Sequence, residues 1–253
     1  MFLSVLGFEL PVYGVFYASG CIAAVLTGFL RCKRQGLDLN DAMIIAACSL
    51  GCGLIASKLL FLLVSVPKEQ LLRVVRAGRF DVLMSGGQVY LGGVLGGVLG
   101  GALGGRIAGC ELEGYLRAFV PPLPLGHALG RIGCLFAGCC YGVPYTGFGA
   151  VTYAHAAGGA PPLVSLFPVQ ALEAAADVLI FAALMRFSAR VSGKKTLAIY
   201  GLLYCPARFA LEYLRFDALR GAFCGLSTSQ WLCAAIFAVS ALCWFRPVKS
   251  EIA

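Results

Sequence analysis

A chain of 253 residues that is 60% hydrophobic and only 13% charged departs from the roughly 45–50% apolar, 25% charged make-up of a soluble domain. Its apolar residues come in long runs, which excludes a soluble enzyme with a large core and implies an integral membrane protein. The net charge of +8 gathers at the ends of those runs, which reads as a topology signal with the lipid bilayer as partner and not as a nucleic-acid surface.

Seven runs reach or approach the length needed to cross roughly 30 Å of hydrocarbon as helices. They are residues 10–30, 42–66, 88–109, 115–139, 168–189, 196–216 and 228–245. The expected fold class is therefore all-α, a polytopic membrane protein forming one seven-span domain over 1–253. With the N-terminus outside, inner segments hold Arg31, Lys33, Arg34, Arg106, Arg117, Arg186, Arg190, Lys194, Lys195, Arg246 and Lys249, and outer ones Lys68, Arg73, Arg76, Arg79, Arg215 and Arg220. Eleven against six favours N-out, C-in, although the basic 67–81 stretch lies on the wrong side. No basic stretch precedes the first run, so it is expected to be a retained span and not a cleaved signal. The outer connections 67–87, 141–167 and 217–227 are where a protein substrate would be recognised.

In chain order, span one contributes Tyr13 and Tyr17, and span two contributes Lys58. Span three carries glycine pairs at Gly92-Gly93, Gly96-Gly97, Gly100-Gly101 and Gly104-Gly105. A spacing of four puts them on one helical face, where absent side chains let another backbone approach. A packing seam is the favoured reading. A ligand-facing role is the alternative for the outer end, Ser85-Gly86-Gly87-Gln88-Val89-Tyr90. On span four, His127, Arg131, Cys134 and Gly138 share a face, as do Gln170, Glu173 and Asp177 on span five and Arg208, Glu212 and Arg215 on span six.

An arginine at membrane depth costs at least a few kcal/mol unless it faces a polar interior. Internal ion pairing, with Glu173 and Glu212 neutralising Lys58, Arg131 and Arg208, is one account of these charges. Depth favours a second. In the N-out arrangement Tyr13, Tyr90, Glu173, Cys139, Cys140 and Arg215 all fall near outer span ends, with Lys58, Arg131 and Arg208 deeper. Polar groups confined to one half of the bilayer suit a site open to the outer leaflet better than an ion path.

The order Val12-Tyr13-Gly14, GGQVYLGGVLGG at 86–97, GRIGCLFAGCCYG at 130–142, FPVQALEA at 167–174, ARFALEYLR at 207–215 and LSTSQW at 226–231 resembles bacterial prolipoprotein diacylglyceryl transferase. The resemblance covers nearly the whole chain, and the 130–142 motif is its most specific part. It implies a multi-pass enzyme of the bacterial cytoplasmic (inner) membrane whose partners are phosphatidylglycerol and the signal-peptide region of a prolipoprotein. The diacylglyceryl group would pass to the lipobox cysteine thiol, forming a thioether and releasing glycerol phosphate. Arg131 and Arg208 match the family's arginines and suit an anionic leaving group, because guanidinium binds phosphate bidentately. The resemblance places Glu212 among groups ordering the arginines and Tyr13 near the headgroup. Candidate catalytic residues are thus Arg131, Arg208, His127 and Glu212. Candidate substrate-binding residues are Tyr13, Lys58, Tyr90, Gly92, Gly93, Cys134, Cys139, Glu173 and Arg215.

The chain also departs from the family pattern. Leu91 stands where members carry histidine before the span-three glycines, Cys134 where asparagine is usual, Cys139 where glutamate is usual, and Phe167 where histidine precedes the proline of span five. His127, one turn before Arg131, is a substitute base or equally a buried histidine satisfied by a carbonyl. Of the twelve cysteines, most read as small hydrophobes within spans. Cys134, Cys139 and Cys140 cluster beside Arg131 and are read as family-variant packing, with a disulfide or a nucleophilic thiolate as alternatives. Paired CxxC spacing is lacking, so no metal and no cofactor is expected. Two rival functions remain: a diverged transferase using another acceptor or its own cysteines, and a non-catalytic lipid or small-solute transporter.

Overall fold

Each apolar run is helical over most of its length, and capping residues explain several of the ends. The computed structural model describes residues 2–5, 8–79, 87–216 and 222–245. Among these, the helices are α1 (Val12–Arg34), α2 (Leu39–Ser65), α3 (Lys68–Arg76), α4 (Tyr90–Ala108), α5 (Leu112–Phe119), α6 (Leu123–Ala137), α7 (Val169–Phe187), α8 (Gly193–Leu211) and α9 (Thr228–Phe245). Asp38 caps α2 by accepting from the Asn40 and Asp41 backbone N–H groups at 2.6 and 3.2 Å, and Ser192 caps α8 through Lys195 N–H at 3.3 Å; both supply the acceptor that a first helical turn lacks. Gly109 and Gly138 end α4 and α6 in the left-handed conformation, both with φ 68°, which glycine adopts without steric cost.

Among the described residues three antiparallel hairpins accompany the helices: β1 (Phe2–Val5) with β2 (Phe8–Pro11), β3 (Val151–Thr152) with β4 (Ser165–Leu166), and β5 (Ala222–Phe223) with β6 (Leu226–Ser227). An all-α chain was expected, and these short pairs lie before α1 and in the connections. The fourth run departs from expectation more. Residues 115–139 form not one span but α5 and α6, because Pro121 and Pro122 cannot continue a helix. The 67–81 connection, expected as loop, contains the exposed α3; residues 80–86, 217–221 and 246–253, with Ser85, Gly86, Arg220, Arg246 and Lys249, lie outside the described residues.

Polarity is inverted relative to a soluble protein. Leu63, Leu99, Leu179 and Leu242 point outward while Arg131, Glu173, Asp177 and Arg208 are buried. Among the described residues four helices, α1, α2, α4 and α9, are long and apolar enough to cross a membrane. The others fall short for a reason that bears on function: α6 has only 15 residues, α7 carries Glu173, Asp177 and Arg186, and α8 carries Lys194, Lys195 and Arg208.

The chain divides into two units. In the one built on residues 36–112 and 219–232, α2 packs along α4. A methyl group on Gly92, Gly96, Gly100 or Gly104 would strike Ala56, Cys52, Cys48 or Ile45 of α2, mostly at backbone atoms. Small residues at such spacing let helix backbones meet where apolar burial gives no net drive. Ser57 locks the upper end, its Oγ donating to Val89 O at 3.0 Å while Val89 N–H donates to Ser57 O at 3.2 Å.

In the other unit, α1, α6, α7 and α8 alternate in direction. At one end, Arg31 of α1 donates to Arg117 O at 2.7 Å and to Ser188 Oγ, just past α7, at 2.8 Å. At the other end meet the start of α1, the end of α6, the start of α7 and the end of α8.

Candidate active site

The second of those ends holds a buried ion network. Glu173, one turn into α7, sits among three guanidiniums: Arg131 Nε lies 3.2 Å from Oε2, Arg208 Nε 3.3 Å from Oε1, and Arg215 Nη1 3.6 Å from Oε2. Glu212 Oε2 faces Arg208 Nη2 at 2.5 Å and Arg215 Nε at 3.9 Å. The helical spacing read from the sequence holds across the end of α8, although Glu212–Leu214 tighten into a 3₁₀ turn. Pro206 inside α8 removes one backbone donor just before Arg208.

Three arginines meet two glutamates directly, and Asp177, linked to Arg131 through His127, brings the carboxylates to three. Glu173 is 3% and Arg208 4% exposed, so these charges act through a medium of low dielectric, where they are far stronger than in water. Some donors are also unspent. Among the described residues, both polar partners of Arg131 are at Nε, Glu173 and His127, and Arg208 Nη1 is buried without a hydrogen-bond partner. The void bounded by Glu173, Asp177, Tyr204 and Arg208 measures about 10 Å³, room for one water.

His127 is held from both sides. Its Nε2 accepts from Arg131 Nε at 3.0 Å, which places the ring proton on Nδ1, and Nδ1 lies 2.7 Å from Asp177 Oδ2. Tyr204 packs edge-on at 5.6 Å. A ring with both nitrogens engaged orients its neighbour and is poorly placed to take a substrate proton. Asp177 thus reaches Arg131 through His127. Asp177 and Gln170 were visible as members of the α7 stripe, but their partners are His127 on α6 and Cys139 O in the loop that follows it.

The loop after α6 frames the site. Val143 N–H donates to Leu214 O at 3.0 Å and Phe216 N–H to Tyr141 O at 3.0 Å, while Phe167 N–H returns to Val143 O at 2.9 Å. A side chain on Gly142 would meet Phe167 O and Leu214 O. The 141–167 segment is therefore stitched to the residues flanking Arg215 and holds its guanidinium over Glu173. Tyr13 packs on Gly133 of α6, stacks on Tyr17 at 6.0 Å and lies in electrostatic range of Arg131 and the cysteines. Cys134, Cys139 and Cys140 form no disulfide, and their sulfurs lie within 4.8 Å of one another.

The structure thus gathers Tyr13, His127, Arg131, Cys134, Cys139, Glu173, Arg208, Glu212 and Arg215, and adds Asp177, Gln170 and Cys140. Lys58, Tyr90, Gly92 and Gly93 belong to the other unit. There Lys58 Nζ lies 5.1 Å from the Phe61 ring centroid, and Gly92 and Gly93 face α2.

The family model for prolipoprotein diacylglyceryl transferase matches residues 1–246. This chain belongs to the prolipoprotein diacylglyceryl transferase family. Curated phosphatidylglycerol–prolipoprotein diacylglyceryl transferases are similar over most of their length. That of Clostridium tetani is 28% identical, covering 89% of this chain and 88% of the relative. That of Dehalococcoides mccartyi is 33% identical, covering 81% and 77%, and transferase 2 of Clostridium perfringens is 29% identical, covering 90% and 87%. As a diacylglyceryl transferase, the chain is a membrane enzyme of lipoprotein biosynthesis, and its buried network occupies the segments whose motifs carried the resemblance.

Proposed function

We infer that this chain transfers the diacylglyceryl group of phosphatidylglycerol to the lipobox cysteine of a prolipoprotein, at the outer face of a bacterial cytoplasmic membrane. The observation that carries the reading is a buried arginine cluster with open donors: both polar partners of Arg131 are at Nε, and Arg208 Nη1 has no hydrogen-bond partner. A leaving phosphate monoester needs such fixed donors where its charge develops. In the reaction, the acceptor thiolate sulfur attacks the glyceryl carbon, the C–S bond forms and the C–O bond to phosphate breaks. The electron pair departs on glycerol phosphate.

Arg131 and Arg208 hold the phosphate. Glu173, Glu212 and the Asp177–His127 pair fix the guanidiniums, so His127 is a positioning residue. Tyr13 and Arg215 border the headgroup, and the thiol cluster borders the acceptor. Gly92 and Gly93 serve packing. The inverted polarity, the helix formed in each apolar run and the alternating α1, α6, α7 and α8 support one seven-span domain over 1–253. The excess of basic residues at the Arg31 end supports N-out, C-in, with the arginine network toward the outer leaflet.

The test incubates purified protein in phosphatidylglycerol vesicles with a lipobox peptide. The expected result is a thioether-linked diacylglyceryl adduct and an equal amount of glycerol phosphate. Glycerol phosphate without peptide modification would overturn the acceptor assignment. Lipid binding with no product of either kind would favour a transporter.

A further inference from the structure

The three thiols beside Arg131 are brought together by an unusual backbone path. Helix α6 ends at Gly138 with φ 68°, and Cys140 follows with φ 57°, the left-handed region. A non-glycine residue there is strained, and such residues persist where the surroundings over-determine them. Here the surroundings are extensive. Cys139 N–H donates to Cys134 O at 3.2 Å, Gly158 N–H to Ala137 O at 2.8 Å and Ala160 N–H to Gly138 O at 3.0 Å. Gln170, 1% exposed, donates from Nε2 to Cys139 O at 2.8 Å. Gly158 lies against Cys139, where a side chain would collide.

Thiols acting as small hydrophobes inside a helix need no such turn. The result is three sulfurs on one small surface, within 4.8 Å of each other. A tetrahedral zinc–thiolate centre with bonds of about 2.3 Å has sulfurs about 3.8 Å apart, a modest closure from this geometry. Three protein ligands with one position open is the arrangement of reactive zinc sites, whereas structural sites close with four. Three thiolates around a divalent cation carry one net negative charge, and Arg131 and Arg215 lie in electrostatic range of Cys140.

We propose that Cys134, Cys139 and Cys140 hold a thiophilic d¹⁰ cation, zinc foremost, whose fourth position takes the thiol of the acceptor cysteine. The proposal rests on the transferase reading above. It supplies what the network lacks, since His127 has both nitrogens engaged and Glu173, Glu212 and Asp177 face cationic or ring N–H partners. Coordination activates a thiol by stabilising its thiolate. The acceptor S–H gives its proton to water as the sulfur–metal bond forms. The metal-held sulfur then attacks the glyceryl carbon, and the electron pair of the breaking C–O bond leaves on glycerol phosphate. The neutral thioether binds the cation weakly and departs.

Full-length protein would be purified without chelator, loaded with Zn²⁺ or Co²⁺, and its metal content measured. The expected content is about one equivalent per chain, retained in Cys243→Ser and weakened at least ~10-fold in Cys134→Ser, Cys139→Ser or Cys140→Ser. Should the variants misfold, zinc should still shield these three cysteines of the unsubstituted protein from maleimide. A lipobox peptide should strengthen the Co²⁺–thiolate charge-transfer band, and its Cys→Ser analogue should not. Binding below about 0.1 equivalent with all three thiols reduced, or a disulfide between two of them, would overturn the site. A band indifferent to the peptide would overturn the fourth-ligand role. A responsive band without lipidation would uphold the thiol site while sinking the transferase reading.

Discussion

The α2–α4 pair and the α6–α7–α8 core solve one problem in opposite ways. Helices in an apolar surrounding gain little by burying more apolar surface. The first pair subtracts side chains, so that Gly92, Gly96, Gly100 and Gly104 bring two backbones together. The core adds charge, tying α6, α7 and the end of α8 through Glu173 and three arginines. Removing one partner of a buried ion pair costs about 3–5 kcal/mol, whereas apolar replacement of the whole set is often neutral or better. A glycine seam is therefore sufficient for packing. The charged core keeps a costlier arrangement with donors to spare, and that surplus marks it as the reactive region.

Substitutions can break the comparison at graded points. The largest effect is expected for Glu173→Gln, which strands three arginines on one carboxylate. Stability should fall by about 3–5 kcal/mol, read by thermal melting in detergent, and turnover should fall with it. Gly100→Val attacks the seam instead. Overpacking of about 1–3 kcal/mol should lower the melting temperature, while turnover per folded molecule changes little. A matching loss of chemistry would show that the seam serves catalysis too. Asp177→Asn removes the anchor of His127 and should cost roughly 10-fold in turnover, with phosphatidylglycerol binding less affected. The smallest effect on chemistry is expected for Arg31→Met, because Arg31 already spends donors on Arg117 O, Ser188 Oγ and the Met185 sulfur. It should lose about 1–3 kcal/mol of stability and keep its turnover.

Much of this was legible in the sequence because it is local. Apolar runs fixed the helices to within a few residues, and i, i+3, i+4 spacing put His127 with Arg131 and Arg208 with Glu212 and Arg215. The split of the fourth run was also local, since Pro121-Pro122 forbids a continuous helix, yet run length alone concealed it. What stayed hidden is non-local. Pairing of Glu173 with Arg131 and Arg208 was one account the charges allowed, but nothing in the α7 stripe says that Asp177 faces His127. The clustering of Cys134, Cys139 and Cys140 beside Arg131 was legible, but the path that converges their sulfurs was not. CxxC spacing is only one route to convergent sulfurs, and here the route is two left-handed residues. Gly138 announces one of them, but Cys140 does not.

The central claim is that Arg131 stabilises the departing phosphate. The most direct measurement is single-turnover release of glycerol phosphate from phosphatidylglycerol by Arg131→Ala and by the unsubstituted protein, in matched vesicles with a lipobox peptide. The account predicts a rate lower by roughly 10²- to 10³-fold in protein that inserts and melts as a folded species. A rate within a few-fold of the unsubstituted protein would remove Arg131 from the mechanism and leave the network as packing.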